Sequence, residues 1–180
     1  MRSNIAPQGA ANNYMQLIYE NTLSSASNSI NITGLTGDTA EIYELVISSQ
    51  TDYDGTTYGY FAFNSDFSLD KGIQRIAAAD TTTSGYEAVD YNIFGLFNTD
   101  ALDRSGFSHT LIYAKSGVSR FVITSMAIHI NATSINHYLV LGGVWDNSAD
   151  EITSININTT QANGFGIGSY FALYAKGVVA

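Results

Sequence analysis

The stretch WDNSADEITSININTTQANGFGIGSYFALYAKG, Trp145 to Gly177, decides how the chain is read. It opens on the single Trp, passes through a polar turn and enters ITSININ, where Ile152, Ile155 and Ile157 are spaced by three and then two. That spacing predicts a strand with a bulge near its start. In QANGFGIGS, Asn163, Gly164, Gly166 and Gly168 tolerate positive φ and predict a bend. SYFALYAKG then sets Phe171 and Leu173 against Tyr170 and Tyr174, the two-residue period of a strand. The expectation is the closing hairpin of a β-sandwich, with Trp145, Ile155, Phe171 and Leu173 as core anchors.

Working outward, RFVITSMAIHI alternates, with Val122, Thr124, Met126, Ile128 and Ile130 on one face. HYLVLGGVW groups Leu139, Leu141 and Trp145, and its Gly142–Gly143 pair predicts a bulge or a close backbone approach. HTLIYAKSG keeps Leu111 and Tyr113 in phase before a Ser116–Gly117 turn. EIYELVISS is apolar on both faces, Tyr43, Leu45 and Ile47 against Ile42 and Val46, as a central or covered strand is. YGYFAFN separates Tyr60 and Ala62 from Phe61 and Phe63, and Ile30 and Ile32 precede a turn at Thr36–Ala40. KGIQRIAAAD fits a short helix or a strand; we read residues 66–90 as strand with loops, and DYNIFGLFN as a further strand. About ten strands, with turns every eight to twelve residues, predict an all-β, antiparallel β-sandwich of jelly-roll-like form. Its bounds are a flexible N-terminal arm at 1–14 holding the only proline, a sandwich domain at 15–176 and a C-terminal tail at 177–180.

Composition narrows the function classes. Charged residues are 13% of the chain, about half the usual share, and the abundance of Tyr, Phe, Thr, Ser, Asn and Gly favours strands and turns over helices. The formal charge of -9 disfavours a phosphate backbone as partner, and no basic stripe offsets it. With no cysteine there is no disulfide, thiolate metal site or thiol nucleophile. No stretch has the length and apolarity of a signal peptide or membrane span, so neither export nor membrane insertion is expected.

Chemistry-bearing patterns are sparse. His109, His129 and His137 match no zinc spacing, and the GxSxG elbow is absent. GFGIGS lacks the lysine and following helix of a phosphate cradle. Asp52 and Asp54, two apart before Gly55, echo part of a calcium loop but lack its later glutamate; a solvated turn is the alternative. A carboxylate pair for glycoside hydrolysis depends on a separation that only the fold defines. No catalytic, cofactor-binding or metal residues are assigned, and no cofactor is expected.

Two segments carry a family resemblance. YMQLIYENTLSSASNSINITGL followed by YELVISS, with the ending already quoted, resembles a group of tailed-bacteriophage virion proteins. Their members open on “tLsS…aSitfsgi” and “Y..L.l.is” and close on “aG.W.ntadaItsI.i......f..GS.f.LYg”. Gly142, Gly143, Trp145, Asn147 to Asp150, Ile152 to Ile157, Phe165, Gly168, Ser169, Phe171, Leu173 and Tyr174 match that close. Glu151 departs from it, standing where relatives carry a small apolar residue, and so does the tail beyond Tyr174.

The resemblance spans residues 17 to 176 and brings no catalytic residue. It implies a non-enzymatic structural protein of the virion, assembled in the host cytoplasm. The reading adopted is a capsid decoration or cement protein that stabilises the shell. Its partners would be the major capsid protein or other virion proteins, and a homo-oligomer such as a trimer. Arg2, Ile5, Pro7 and Tyr14 would form the capsid-contact arm. The alternative is a tail-fibre or tail-tip module binding a host glycan or receptor, with Tyr53, Tyr58, Tyr86 and Tyr91 as ligand-binding aromatics.

Overall fold

A computed structural model describes residues 15–55, 57–68, 71–79, 82–91, 94–99, 105–131 and 134–176. The arm residues Arg2, Ile5, Pro7 and Tyr14 and the tail at 177–180 lie outside these residues. So do the side chains of Tyr91, His129 and His137.

The chain is all-β, built as two antiparallel sheets facing each other. In chain order the strands are β1 (Met15–Thr22), β2 (Ser29–Thr33), β3 (Ile42–Gln50), β4 (Thr57–Phe63), β5 (Lys71–Ala79) and β6 (Thr82–Tyr91). They continue as β7 (Phe94–Thr99), β8 (Ser105–Tyr113), β9 (Arg120–Asn131), β10 (Ser134–Trp145), β11 (Ser154–Thr159) and β12 (Tyr170–Lys176). The large sheet runs β1-β12-β3-β8-β9-β10-β5-β6 and the small sheet β2-β11-β4-β7. Residues 66–90 therefore supply two strands, β5 and β6, as their reading as strand anticipates. The Thr36–Ala40 segment is more than a turn: Gly37–Ala40 closes one helical turn, α1.

The inner faces meet in one core. Tyr43, Leu45, Ile47, Phe171, Leu173 and Trp145 of the large sheet are buried against Ile32, Ile155, Ile157, Phe61 and Phe63 of the small one. Ring packing ties the layers: Phe63 lies 5.3 Å from Trp145 between centroids, and Phe165 meets Phe171 edge-on at 4.9 Å. Burying each such side chain contributes about 1.5–3 kcal/mol. The expected anchors Trp145, Ile155, Phe171 and Leu173 are all fully buried.

Three local expectations are corrected. The closing segment is not a hairpin, because β11 pairs with β2 and β4 whereas β12 pairs with β1 and β3. Residues 160–169 instead cross between the sheets, and Phe165 drops into the core, held by paired backbone bonds to Ser27. Gly164 and Gly166 are required by that crossing: an added Cβ would lie 2.4 Å from Thr159 Oγ1 or 2.6 Å from Asp52 Oδ1. Ile152 lies ahead of β11 as a buried loop residue, so the uneven isoleucine spacing marks a strand start and not a bulge. The Gly142–Gly143 pair forms no bulge, and Gly142 makes no close approach. Its register with β5 and β9 is unbroken, and a Cβ on Gly142 would meet only the Gln74 carbonyl oxygen, at 4.0 Å.

Candidate functional site

Two places on this frame depart from an ordinary sandwich: a buried charged cluster at one end, and the outer face of the large sheet.

The cluster is built by register. Trp145 stands opposite Arg120 on β9 and Lys71 on β5, which puts two cations beside the ring on the inner face. Both cationic side chains are fully buried. The Arg120 guanidinium sits 5.3 Å from the Trp145 ring and donates to the carbonyls of Val118, Asn147 and Asp150. Lys71 Nζ donates to the Ser68 carbonyl and lies 3.7 Å from Asp66, which accepts the Trp145 indole N–H at 2.8 Å.

Burial on its own would raise the Asp66 carboxyl, but hydrogen bonds from Ser68 and Trp145 and the Lys71 charge outweigh it and hold the pKa at about 2. This depression ties stability to pH. Its contribution is complete above the ordinary carboxyl value of 3.8 and is lost as pH falls towards about 2. Asp66→Asn is expected to flatten that acid limb when denaturant midpoints are measured between about pH 2 and 6; an unchanged limb would refute the assignment. Apart from Arg120 Nε, which is buried without a hydrogen-bond partner, the polar groups here hold backbone or ring and make the cluster a structural clamp on the 146–150 loop.

The described turn carboxylates do similar work. Asp38 accepts the Ser116 amide and hydroxyl, and these bonds lower its pKa; Asp146 accepts from Ser119. Asp52 faces the Gly166–Ile167 backbone, and no group of three or more potential metal ligands occurs among the described residues.

The outer face inverts the usual pattern. In β8 the polar Ser108 and Thr110 point inward, where the Thr110 and Thr124 hydroxyls bond at 2.9 Å, while Phe107, Leu111 and Tyr113 point to solvent. In β9, Phe121 and Ile123 are 57% and 56% exposed, although Val122, Met126 and Ile128 are buried. Tyr138 and Val140 of β10 and Ile76 of β5 extend the same exposed surface. Register explains the inversion. Tyr43, Leu45 and Ile47 commit β3 to the core, and β8, paired residue for residue with β3, must follow its phase. An exposed apolar face of this kind is the candidate interaction surface of the molecule. Its members were visible in the sequence as apolar residues; their orientation was not.

The four tyrosines considered as a ligand platform are dispersed. Tyr53 lies in the loop after β3, Tyr58 on β4 of the small sheet and Tyr86 on β6, where the Arg75 guanidinium sits 4.7 Å from its ring. Tyr91 ends β6, opposite Lys71. Of the three whose side chains are described, Tyr86 lines the shallow depression of about 500 Å³ beside Ile76, Val140 and Gly142.

No family model matches the chain, and no curated protein matches it. A solved structure from Bacteroides vulgatus, described as a candidate pore-forming toxin, aligns at 8% identity over 87% of this chain and 59% of that one, with a TM-score of 0.12. The chain thus spans less than two thirds of that protein, and a likeness this low carries no argument about fold or function. Among the described residues no helix is long and apolar enough to cross a membrane.

Proposed function

We propose that this protein is a non-enzymatic structural component of a tailed-phage virion, a capsid decoration or cement protein assembled in the host cytoplasm. The observation that carries the reading is the apolar outer face of the large sheet on a chain with a charge of -9. Such a face is suited to burial in an assembly. The sequence resemblance supplies the virion context, and the alternation of β1 to β5 between the sheets is compatible with a jelly-roll-like path.

The mechanism is mechanical. A bound unit bridges neighbouring shell proteins, the major capsid protein first among them, and its binding free energy belongs to the assembled shell and not to separated subunits. Repeated sites on the lattice offset the entropy of ordering an arm at residues 1–14. The test is to image purified virions. Density over the whole head is expected, with heads lacking the protein breaking at lower temperature. Density confined to the tail tip would overturn the reading in favour of receptor or glycan adhesion, for which Tyr86 beside the depression is the supporting feature. Deleting residues 2–14 is expected to abolish head binding with the fold intact, and equal binding would sink the arm's role.

A further inference from the structure

We propose that the outer face of the large sheet pairs with a second copy of the same chain, about a two-fold axis running along the strands between β9 and β10. This deepens the assembly reading and rests on it for the purpose of the pairing, a two-headed unit that presents two shell-binding ends.

The argument starts from the register. Glu44, Leu111, Ile123, Gly142, Gln74 and Glu87 stand side by side across β3, β8, β9, β10, β5 and β6. The next row of the same face reads Val46, His109, Ser125, Val140, Ile76 and Gly85. On the β8–β9 side the first row rises, with Leu111 and Ile123 projecting into solvent. On the β10–β5 side it falls at Gly142, which has no side chain, and in the second row Gly85 leaves a gap beyond Ile76. There the depression of about 500 Å³ opens, lined by Gln74, Ile76, Gly85, Glu87, Val140 and Gly142.

The protein's own packing does not require that hollow. A Cβ on Gly85 would meet nothing within 4 Å, and one on Gly142 would meet a single atom at 4.0 Å. Neither residue has a left-handed φ. Glycine weakens a strand interior, and a close approach by another body is what such a position accommodates.

A two-fold axis along the strands, midway between β9 and β10, exchanges β9 with β10 and β8 with β5 and preserves position along the strand. Ile123 of each copy then lies over Gly142 of the other, and Leu111 over Gln74, so each ridge enters the opposite hollow. Two sheets of the same twist can stack in this aligned manner about 10 Å apart.

Charge selects the occupant. Although the chain carries -9, the outward positions from β3 across to β6 hold two described acids, Glu44, which is paired with His109 at 2.6 Å, and Glu87 at the β6 edge. A basic protein, a nucleic acid or a lipid headgroup would find little to recognise there. A second acidic copy meets the four central strands β8, β9, β10 and β5 without like charges opposed; the same axis sets β3 over β6, so Glu44 of each copy faces Glu87 of the other only at the rim. Size agrees: the six strands from β3 to β6, at about 4.8 Å each, and seven residues at about 3.4 Å give a flat footprint of about 700 Å². A rugged surface exceeds its footprint, which brings it near the roughly 800 Å² per partner of a stable interface.

The test is sedimentation velocity on the full chain, from the nanomolar range to about 100 µM. A dimer is expected. Gly142→Val fills the hollow with a strand-favouring side chain, and Ile123→Glu buries an unpaired acid over Gly142 of the other copy. Each is expected to leave circular dichroism and thermal melting of the dilute monomer unchanged and to weaken pairing about 100-fold or more. A wild-type monomer or trimer throughout, or a dimer indifferent to both variants, overturns the proposal. Head binding is scored separately. A monomer that decorates heads refutes the pairing alone, and a dimer that both variants dissociate but that never binds heads refutes the decoration reading alone.

Discussion

Trp145→Ala is expected to destabilise the fold by about 3–5 kcal/mol, the cost of deleting a large buried aromatic side chain and leaving a cavity. The ring is fully buried, packs on Phe63 across the layer gap and stands between Arg120 and Lys71. Its loss also removes the indole donor to Asp66 and the π face under Arg120. For a domain of this size a kcal/mol corresponds to about 2–4 °C, so a melting point lowered by about 6–20 °C is predicted. Trp145→Phe retains the ring contact and lacks the N–H, and it should fall between. A melting shift under about 2 °C for the alanine variant would show that the ring does not bind the layers together.

Arg120→Ala should cost about 2–4 kcal/mol by a different route, since buried acceptors left without a donor are penalised singly. Its guanidinium serves the carbonyls of Val118, Asn147 and Asp150, and burial lowers its pKa against the opposing pull of Asp38 and Asp150. Arg120→Lys keeps the charge but replaces a planar fork with a point donor, so partial rescue is expected. Hydrogen exchange provides the readout that separates a clamp from bulk packing: amides of residues 146–150 should lose protection in Arg120→Ala beyond the global change. Uniform loss across the core would assign Arg120 to packing alone.

Much of the strand layout is legible locally. The alternation in RFVITSMAIHI predicts the buried set Val122, Thr124, Met126 and Ile128, and the aromatic period of SYFALYAKG predicts Phe171 and Leu173. Strand pairing is less legible. The turn chemistry of QANGFGIGS is consistent with a hairpin, but Phe165 gains more by entering the core than a tight turn would allow, so β11 and β12 join different sheets. The clamp at Arg120 and Lys71 leaves no motif, because residues 71, 120 and 145 become neighbours only through the β5–β10–β9 register. The candidate docking face is concealed for a related reason: Leu111 and Tyr113 have the spacing of core residues.

By itself the sequence determined the all-β character, the period of each strand and the identity of the large core anchors. Those follow from side-chain shape and alternation within a few residues of chain. Only the tertiary structure decided which face of β8 and β9 is wet, since a strand's two faces are equivalent until a neighbour fixes its phase. Here β3 fixes it, burying Thr110 and Ile112 and turning Phe107, Leu111 and Tyr113 outward. The physical reason is cooperative pairing: a one-residue slip of β8 alone would bury its larger apolar side chains, but it would break the registers with β3 and β9 together.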